Sequence, residues 1–422
     1  MSEAEDHKQF TIDGREPRQV VFPESAEQVA AVLRSATEKQ FSVIPVGGGT
    51  LLRIGNPPRR YDLALSLQRL NQVMDYQPTD MTVTVEAGMT VARLQAVLSA
   101  NGQWLPIDPP LPDRTTIGGL IAANLSGPSR LSQGTIRDFL IGLKAVQANG
   151  TVVKGGGRVV KNVAGYDLPK LYCGSFGTLG VIVEATFKVR PRPEVQTILW
   201  LPFPSPEKAM GVVLRLLGTE LQPSFLELTN VDFLGEKGNT LSPYWLFVGF
   251  AGIAEEISYQ DTRFRELVGD SEIEIQEWKQ EGAQALLIGL RDFPAAGEAT
   301  LRYRASVLPT QVAVFCNTVE EEAKARGFST QLLVRAGNGI IYGRLPGSKI
   351  VAQERLLSFV DRFQILVKEL DGYGVIEAID PALKDRVNVW GHIAGAFPLM
   401  KRLKETLDPQ GILSPGRFIG GI

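Results

Sequence analysis

The stretch Ile44-Pro-Val-Gly-Gly-Gly-Thr-Leu-Leu52 leads from a short apolar run into three consecutive glycines. Residues without a Cβ atom let successive backbone N–H groups converge on one point, which suits an anion such as a pyrophosphate. The stretch lacks the lysine of a Walker A loop, Arg53 stands at the wrong offset to replace it, and the GxGxxG pattern of a Rossmann fold is absent. A tight glycine turn that binds nothing is the alternative interpretation.

A second glycine pair lies in Pro109-Pro-Leu-Pro-Asp-Arg-Thr-Thr-Ile-Gly-Gly-Leu-Ile-Ala-Ala-Asn124. Its prolines predict an extended segment, and Thr115 or Thr116 is placed to cap an apolar helix. The first N–H groups of a helix have no intrahelical acceptor, and the helix dipole adds partial positive charge there. The pattern therefore indicates a phosphate site without lysine or arginine. A buried helix start that contains glycines is the alternative.

The third stretch is Lys161-Asn-Val-Ala-Gly-Tyr-Asp-Leu-Pro-Lys-Leu-Tyr-Cys-Gly-Ser-Phe-Gly-Thr-Leu-Gly-Val-Ile182. Gly174, Gly177 and Gly180 recur at every third position before an apolar strand begins. This spacing predicts either close approach of the backbone to a flat ligand or a crowded turn.

Length and composition limit the remaining possibilities. A chain of 422 residues predicts two or three domains, and 44% hydrophobic with 21% charged residues is ordinary for a globular protein. A net charge of −2 gives no overall basic field for nucleic acid. The start MSEAEDHKQF lacks the features of a signal peptide, and no run is apolar for the roughly 20 residues that a membrane helix needs. We therefore expect a cytoplasmic protein.

Cysteine and histidine, the residues that form zinc and iron–sulfur sites, are scarce. Cys173 and Cys316 lie far apart without a CxxC spacing, which predicts neither an iron–sulfur cluster nor a zinc knuckle and favours a reducing compartment. The two histidines are His7 and His392, too few for a histidine-based metal site. We expect no metal ion.

Periodicity places secondary structure along the chain. Helices are predicted at Ser25–Thr37, with Ser25 as N-cap, at Val91–Asn101, and further at 207–217, 254–268 and 394–406. Strands are predicted at 41–46, 64–67, 82–86, 143–148, 179–189, 245–251 and 339–343. Arg190-Pro-Arg-Pro193 interrupts regular structure and predicts the first domain boundary.

Together, the three glycine stretches resemble the FAD-linked oxidases with a vanillyl-alcohol-oxidase-type (PCMH-type) flavin fold. Within that family the chain looks most like the E-type subunit of bacterial glycolate oxidase. The resemblance covers most of Pro17–Pro193 and returns in Asp408-Pro-Gln-Gly-Ile-Leu-Ser-Pro-Gly-Arg-Phe418. Between them it is carried by Arg302-Tyr-Arg-Ala-Ser-Val-Leu-Pro309 and Val389-Trp-Gly391.

The resemblance implies an α+β fold: a two-subdomain FAD-binding domain (1–195), an α+β cap or substrate domain (196–385) and a C-terminal segment (386–422) that returns to the FAD domain. In that family, residues 46–51 would embrace the pyrophosphate and 115–119 would approach it from the other side. Asn124, Ser126 and Gly127 would lie near the isoalloxazine, and 180–182 near the adenine. The implied FAD-binding residues are Val46, Gly47, Gly48, Gly49, Thr50, Leu51, Pro110, Thr115, Thr116, Ile117, Gly118, Gly119, Asn124, Ser126, Gly127, Gly180, Val181 and Ile182.

Departures from the family bear on chemistry. Covalent members place a histidine, sometimes with a cysteine, near these loops, whereas the first loop has neither and Cys173 is not at an attachment position; non-covalent FAD is implied. The D-2-hydroxyacid dehydrogenase branch carries a histidine-rich Gly-Asp-Gly-Asn motif that holds a divalent metal. The counterpart Ala336-Gly-Asn-Gly339 has no histidine beside it, so the usual base is not identified.

Three further residues have two interpretations each. Arg304 lies where the family faces substrate, and its planar fork suits a carboxylate, but it is equally an ion-paired or surface arginine. His392 is either a general base or a structural histidine. Tyr166 would pack against the flavin or in the core.

Two functions are therefore expected alternatives. The chain either oxidises a small 2-hydroxy acid such as glycolate or D-lactate, or it is a non-catalytic FAD subunit required by a flavoprotein partner and an iron–sulfur partner. Any contact with a membrane would be peripheral and through those partners.

Overall fold

The computed structural model describes residues 7–157, 167–233, 235, 243–269, 274–278, 280–347, 353–393 and 395–422, with 280–282 as backbone alone. The chain forms two compact units. The first comprises Met1–Ser126, Thr135–Arg192 and Ile393–Ile422, and the second comprises Gly127–Gly134 and Pro193–His392. Helices and sheets are present in both units, which confirms the predicted α+β class.

The strands and helices are numbered along the chain. The strands are β1 (Gln19–Val21), β2 (Val43–Val46), β3 (Leu63–Ser66), β4 (Val73–Gln77), β5 (Thr82–Glu86), β6 (Gln103–Trp104), β7 (Leu140–Val146), β8 (Val152–Gly156), β9 (Val181–Lys188), β10 (Arg190–Pro191), β11 (Val195–Phe203), β12 (Phe225–Thr229), β13 (Tyr244–Gly252), β14 (Gln276–Trp278), β15 (Ala299–Ser306), β16 (Gln331–Arg335), β17 (Ile340–Pro346) and β18 (Tyr373–Ala378). The helices are α1 (Ala26–Lys39), α2 (Val91–Ser99), α3 (Ile117–Ala123), α4 (Arg130–Gln133), α5 (Ile136–Phe139), α6 (Leu168–Tyr172), α7 (Pro206–Leu217), α8 (Ala254–Val268), α9 (Gln280–Asp292), α10 (Val312–Ala325), α11 (Gln353–Glu369) and α12 (Phe397–Leu407).

The first unit contains a small parallel sheet and a larger antiparallel one. The parallel sheet has the order β1-β3-β2, and α1 packs on it through an apolar face that contains Val29 and Leu33. Ser25 caps α1 by accepting a hydrogen bond from Gln28 N, as the sequence predicted. The antiparallel sheet has the order β4-β5-β9-β7-β8. Val146 and Val181, at the ends of β7 and β9, belong to the same hydrophobic core as α1 and join the two halves.

The C-terminal segment completes the first unit. Val43 N donates to Ile412 O and Ser414 N donates to Val43 O, so the tail adds a short parallel bridge beside β2. Ile412 and Leu413 are fully buried in the core of α1. The predicted return of the C-terminus to the glycine-loop domain is therefore observed.

The second unit is built on one antiparallel sheet of eight strands, ordered β14-β11-β13-β12-β16-β17-β15-β18. Helices α8 and α11 pack on one face, where Phe264 meets Phe250 and Phe363 meets Tyr303. On the other face, α9 contributes Leu286 to a core of aromatic and aliphatic side chains.

The division into units differs in detail from the expected domain boundaries. The chain changes units at Pro193 and Ile393 rather than at 196 and 386, and Gly127–Gly134 belongs to the second unit. Strand β9 ends at Lys188, so the Arg190-Pro-Arg-Pro193 run stops that strand as expected, but the run is not wholly irregular. Arg190–Pro191 forms a two-residue strand against Gln103–Trp104; a proline is tolerated in so short a strand.

Candidate functional site

A cavity lies in the first unit at the carboxyl end of β2. It encloses about 900 Å³ of space, part of it open to solvent. Its walls are mainly apolar or glycine, and Arg417 is the one charged side chain among the described residues that line it. The lining residues are Ile44, Pro45, Val46, Gly47, Gly48, Gly49, Thr50, Leu51, Leu52, Leu67, Thr116, Gly118, Gly119, Ala122, Ala123, Phe176, Gly177, Gly180, Ile182, Ser414 and Arg417.

The first glycine loop offers unused hydrogen-bond donors to this cavity. Within the described residues, the N–H groups from Gly47 to Leu51 reach no protein acceptor. Buried or half-buried N–H groups are normally paired, so a run of five is unusual unless water or a ligand accepts from them. The loop therefore has the donor set that an anion needs.

The glycines of this loop are required by protein packing. A Cβ atom on Gly48 would overlap the carbonyl group of Arg114, and one on Gly47 would overlap the Thr116 side chain. Gly49 has a φ of +70°, which a side chain rarely tolerates. The second glycine stretch thus presses directly on the first and fixes its path.

The second loop differs from what the sequence predicted. Helix α3 begins after Thr116, whose Oγ1 accepts from Gly119 N at 3.3 Å. Ile117 N donates to Met89 O and Gly118 N donates to Ala87 O, at 2.9 and 2.7 Å. The expectation of free first-turn donors was wrong, because carbonyls of the segment after β5 accept from them.

The third stretch closes the far end of α3. Gly174 N donates to Ile121 O and Phe176 N donates to Ala122 O, so this turn satisfies the last carbonyls of the helix. Asn124 ends α3 in the left-handed conformation, and its Oδ1 is buried with no donor among the described residues. A buried unpaired amide oxygen beside Ala122 and Ala123 fits a ligand that carries an N–H group.

Comparison with known proteins agrees with this geometry. Residues 17–156 match the FAD binding domain family, and residues 192–372 and 394–418 match the C-terminal domain of FAD linked oxidases. The chain belongs to the FAD-linked oxidases. Its cofactor is FAD, and it is an FAD-linked oxidoreductase.

Individual relatives of this FAD-linked oxidase are distant. The glycolate oxidase subunit GlcD of Bacillus subtilis is 28% identical over 95% of the chain and 89% of its own length. The glycolate oxidase subunit GlcE of Escherichia coli is 34% identical, over 41% of the chain and 46% of that protein. The structure of 4-ethylphenol oxidase from Gulosibacter chungangensis matches with a TM-score of 0.76 at 16% identity, covering 98% of this chain and 92% of that one. That match shows the fold alone.

The cavity of this FAD-linked oxidase brings together part of the residue set named from the sequence. The residues of that set that line it are Val46, Gly47, Gly48, Gly49, Thr50, Leu51, Thr116, Gly118, Gly119, Gly180 and Ile182. Those outside the lining are Pro110, Thr115, Ile117, Asn124, Ser126, Gly127 and Val181. Ile117 and Val181 are core side chains, and the hydroxyl of Thr115 donates to Pro110 O. Gly127 belongs to the second unit.

Sequence reasoning missed several lining residues. Phe176 and Gly177 stood within the quoted third stretch, and Ser414 and Arg417 within the quoted tail. For Ser414 and Arg417, the sequence offers a cluster of Pro, Gly and Arg after the last helix. That composition predicts an irregular tail but not a place in a cavity wall. Tyr166 and the segment 161–166 lie outside the described residues.

Arg304 is ion-paired. Its Nε lies 3.1 Å from Glu377 Oε1, and the Arg304 side chain is 37% exposed. Burial raises the pKa of Glu377, although the Arg304 charge opposes that shift. A second pair, Arg335 and Glu227, is almost fully buried on the same sheet face with a separation of 3.8 Å. A substrate role for Arg304 stays a prediction.

His392 is exposed at a second cavity, which lies in the second unit and holds about 730 Å³ of space, part of it open to solvent. Lys368, Asp371 and Tyr373 also line that cavity. Its two interpretations, a general base and a structural histidine, both stay predictions.

Among the residues that the structure describes, no group of three His, Cys, Asp or Glu side chains is arranged to hold a metal ion. None of the described helices combines the length and the apolar character needed to cross a bilayer.

Proposed function

We propose that this chain oxidises a small 2-hydroxy acid, such as glycolate or D-lactate, to the 2-oxo acid at the expense of FAD. The observation that carries the proposal is the row of unused N–H donors from Gly47 to Leu51 in an apolar cavity of an FAD-linked oxidase. The names of the GlcD and GlcE relatives supply the substrate class. Within the family we infer an E-like glycolate oxidase subunit.

The residues divide the work of holding the cofactor. Residues 46–51 take the pyrophosphate through backbone N–H groups, and Gly180–Ile182 contact the adenine end. Thr116–Gly119 contribute surface and the field of a helix start, since the N–H groups of Ile117, Gly118 and Gly119 already have acceptors. Asn124 faces the isoalloxazine with its unpaired Oδ1. When bound, FAD would supply the acceptor for the hydride that leaves the hydroxyl-bearing carbon.

We further propose that FAD is bound without a covalent link. No histidine or cysteine is among the described residues that line the cavity. Of the cysteines and histidines, Cys173 is the nearest in sequence to a cavity-lining residue. Burial raises the pKa of its thiol to about 11. A thiol that is protonated at neutral pH is a poor nucleophile. Acid precipitation of the purified protein should therefore release all of its flavin.

The electrons pass on to another carrier. We propose a cytoplasmic assembly with a second flavoprotein and an iron–sulfur subunit, any membrane contact being through those partners. Both cysteines are free thiols, as a reducing compartment allows.

A second candidate is a non-catalytic FAD subunit of the same assembly. It is favoured by the histidine count of two, by the exposure of His392 and by the ion pair that occupies Arg304. Oxidation of a hydroxy acid normally needs a general base and an arginine that is free to bind the substrate carboxylate.

The two candidates are separated by anaerobic titration of the flavin absorbance. The first predicts that glycolate or D-lactate bleaches the flavin of the purified chain, with succinate as a non-oxidisable control acid. The second predicts bleaching only after partner subunits are added. Bleaching under neither condition would reject the hydroxy-acid substrate, and a colourless protein that takes up no FAD would reject the site itself.

A further inference from the structure

The C-terminal tail reaches the first glycine loop through one arginine. Arg417 donates from Nη2 to Leu52 O and Ile54 O at 3.0 and 2.7 Å, and from Nη1 to Asn56 O at 3.2 Å. These carbonyls follow directly on the loop whose N–H groups face the cavity. A planar guanidinium spreads its donors over several nitrogens, whereas a lysine ammonium carries all its donors on one nitrogen.

The same side chain is a buried charge. Arg417 is 7% exposed, its nearest acid is Asp13 with Nη1 and Oδ2 3.9 Å apart, and it is the charged side chain of the described cavity lining. Burial lowers the pKa of Arg417 to about 10, with Asp13 opposing the shift, so the guanidinium stays charged at neutral pH. A fixed cation in a low-dielectric wall acts strongly on an anion in the cavity.

Other contacts tie the tail to the site. Asn56 Nδ2 donates to Gly416 O and Phe418 O at 3.0 and 3.1 Å. The Phe418 ring stacks on Phe176, another cavity residue, with centroids 5.3 Å apart. The tail thus contacts two separate walls of the cavity.

We propose that Arg417 is a positioning residue for FAD: it fixes the loop that binds the diphosphate, adds a buried positive charge to the cavity, and couples cofactor binding to the order of the C-terminal tail. This inference rests on the assignment of the FAD site. It does not depend on which substrate is oxidised, so failure of the bleaching test leaves it standing.

The direct test measures FAD affinity of the full-length apoprotein by flavin fluorescence. We expect Arg417→Met to weaken FAD binding roughly tenfold to a hundredfold, and Arg417→Lys to recover part of that loss because it keeps the charge without the fork. Arg402→Gln, an exposed arginine of α12, is the matched control and should bind FAD as the parent chain does. A folded Arg417→Met protein with unchanged affinity would overturn the proposal.

Arg417→Met leaves Asp13 as a buried acid without its cation, which alone threatens folding. The double variant Asp13→Asn/Arg417→Met removes that penalty and should still bind FAD weakly. Asn56→Ala, which releases the tail without touching the charge, should weaken binding less. Parental affinity in the folded double variant would overturn the proposal even if the single variant does not fold.

Hydrogen exchange of the unaltered chain supplies a measurement that needs no variant. Added FAD should slow exchange in residues 47–56 and also in 414–420, because the two segments are joined through Arg417. Protection confined to 47–56 would overturn the coupling and reduce Arg417 to a structural clamp.

Discussion

The two glycine loops of the proposed FAD cavity look alike in sequence but differ in which backbone N–H groups they leave without an acceptor. The first, Gly47–Gly49, keeps its N–H groups unpaired within the described residues, while Gly47 and Gly48 lie so close to Thr116 and Arg114 that neither has room for a Cβ atom. The second, Gly118–Gly119, has every first-turn N–H already accepted by Ala87, Met89 or Thr116. A glycine pair in the sequence therefore indicates that another group lies close to the backbone. It does not indicate whether that group is a ligand or another loop of the protein.

The difference also assigns roles. On the proposed assignment, the first loop donates hydrogen bonds to the cofactor, and the second loop packs against the first and fixes its shape. On that assignment, the ligand-binding interpretation applies to the first loop, and the alternative of a buried helix start that contains glycines applies to the second.

The largest expected effect comes from Gly48→Ala. Its new methyl group would overlap the Arg114 carbonyl, and neither backbone can move away cheaply. We expect a loss of about 3 kcal/mol or more in the free energy of unfolding, together with loss of bound FAD. Thermal unfolding of the apoprotein and flavin content measure the two effects. A stable, yellow Gly48→Ala protein would show that the second loop does not fix the shape of the first.

The variant Gly119→Ala tests whether this glycine is needed for the bound ligand or for packing within the protein. A Cβ atom there would meet only Thr116 Oγ1, at 3.2 Å, among protein atoms, and alanine favours a helix over glycine by up to about 1 kcal/mol. We expect apoprotein stability to be kept or slightly raised while FAD binds roughly tenfold more weakly, because the methyl group enters the cavity. An unchanged FAD affinity of Gly119→Ala would show that the cofactor does not lie against the second loop.

Thr116→Val tests the donor assignment itself. It removes the cap of α3 and the acceptor of Gly119 N, which should cost about 1 kcal/mol in unfolding free energy. FAD affinity should stay near the parental value, since the Gly119 N–H is not a donor to the cofactor. Thr116→Ser, which keeps the hydroxyl, is the control. If valine but not serine weakens FAD binding in a protein of unchanged stability, the hydroxyl itself contacts FAD.

Much of the fold followed from local pattern. Strand β5 and helix α8 have the bounds that the alternation and the 3.6-residue period predict, and Ser25 caps α1 as its type suggests. The order of the three glycine stretches along the chain was enough to predict the family. Local chemistry and family resemblance were sufficient where the decisive neighbours are close in sequence.

The rest depended on contacts between distant residues. Free donors at the second loop were expected because an isolated helix start has them, but Ala87 and Met89 supply acceptors that no local pattern shows. Arg417 lies more than 350 residues from the carbonyls it holds. Its role becomes visible only when the tail folds back along β2.

The smallest expected effect is that of salt, and it tests the first loop most selectively. If backbone N–H groups and one buried guanidinium hold the diphosphate, no mobile counterions are released from exposed lysines or arginines when FAD binds. Buried charges are also screened much less than exposed ones. Raising the salt concentration tenfold should then change the FAD dissociation constant by no more than about twofold, against a steep loss for a site built from exposed cations. A strong salt dependence would mean that exposed arginines such as Arg53 or Arg59, both close to this loop in sequence, carry the binding instead of the loop's own backbone.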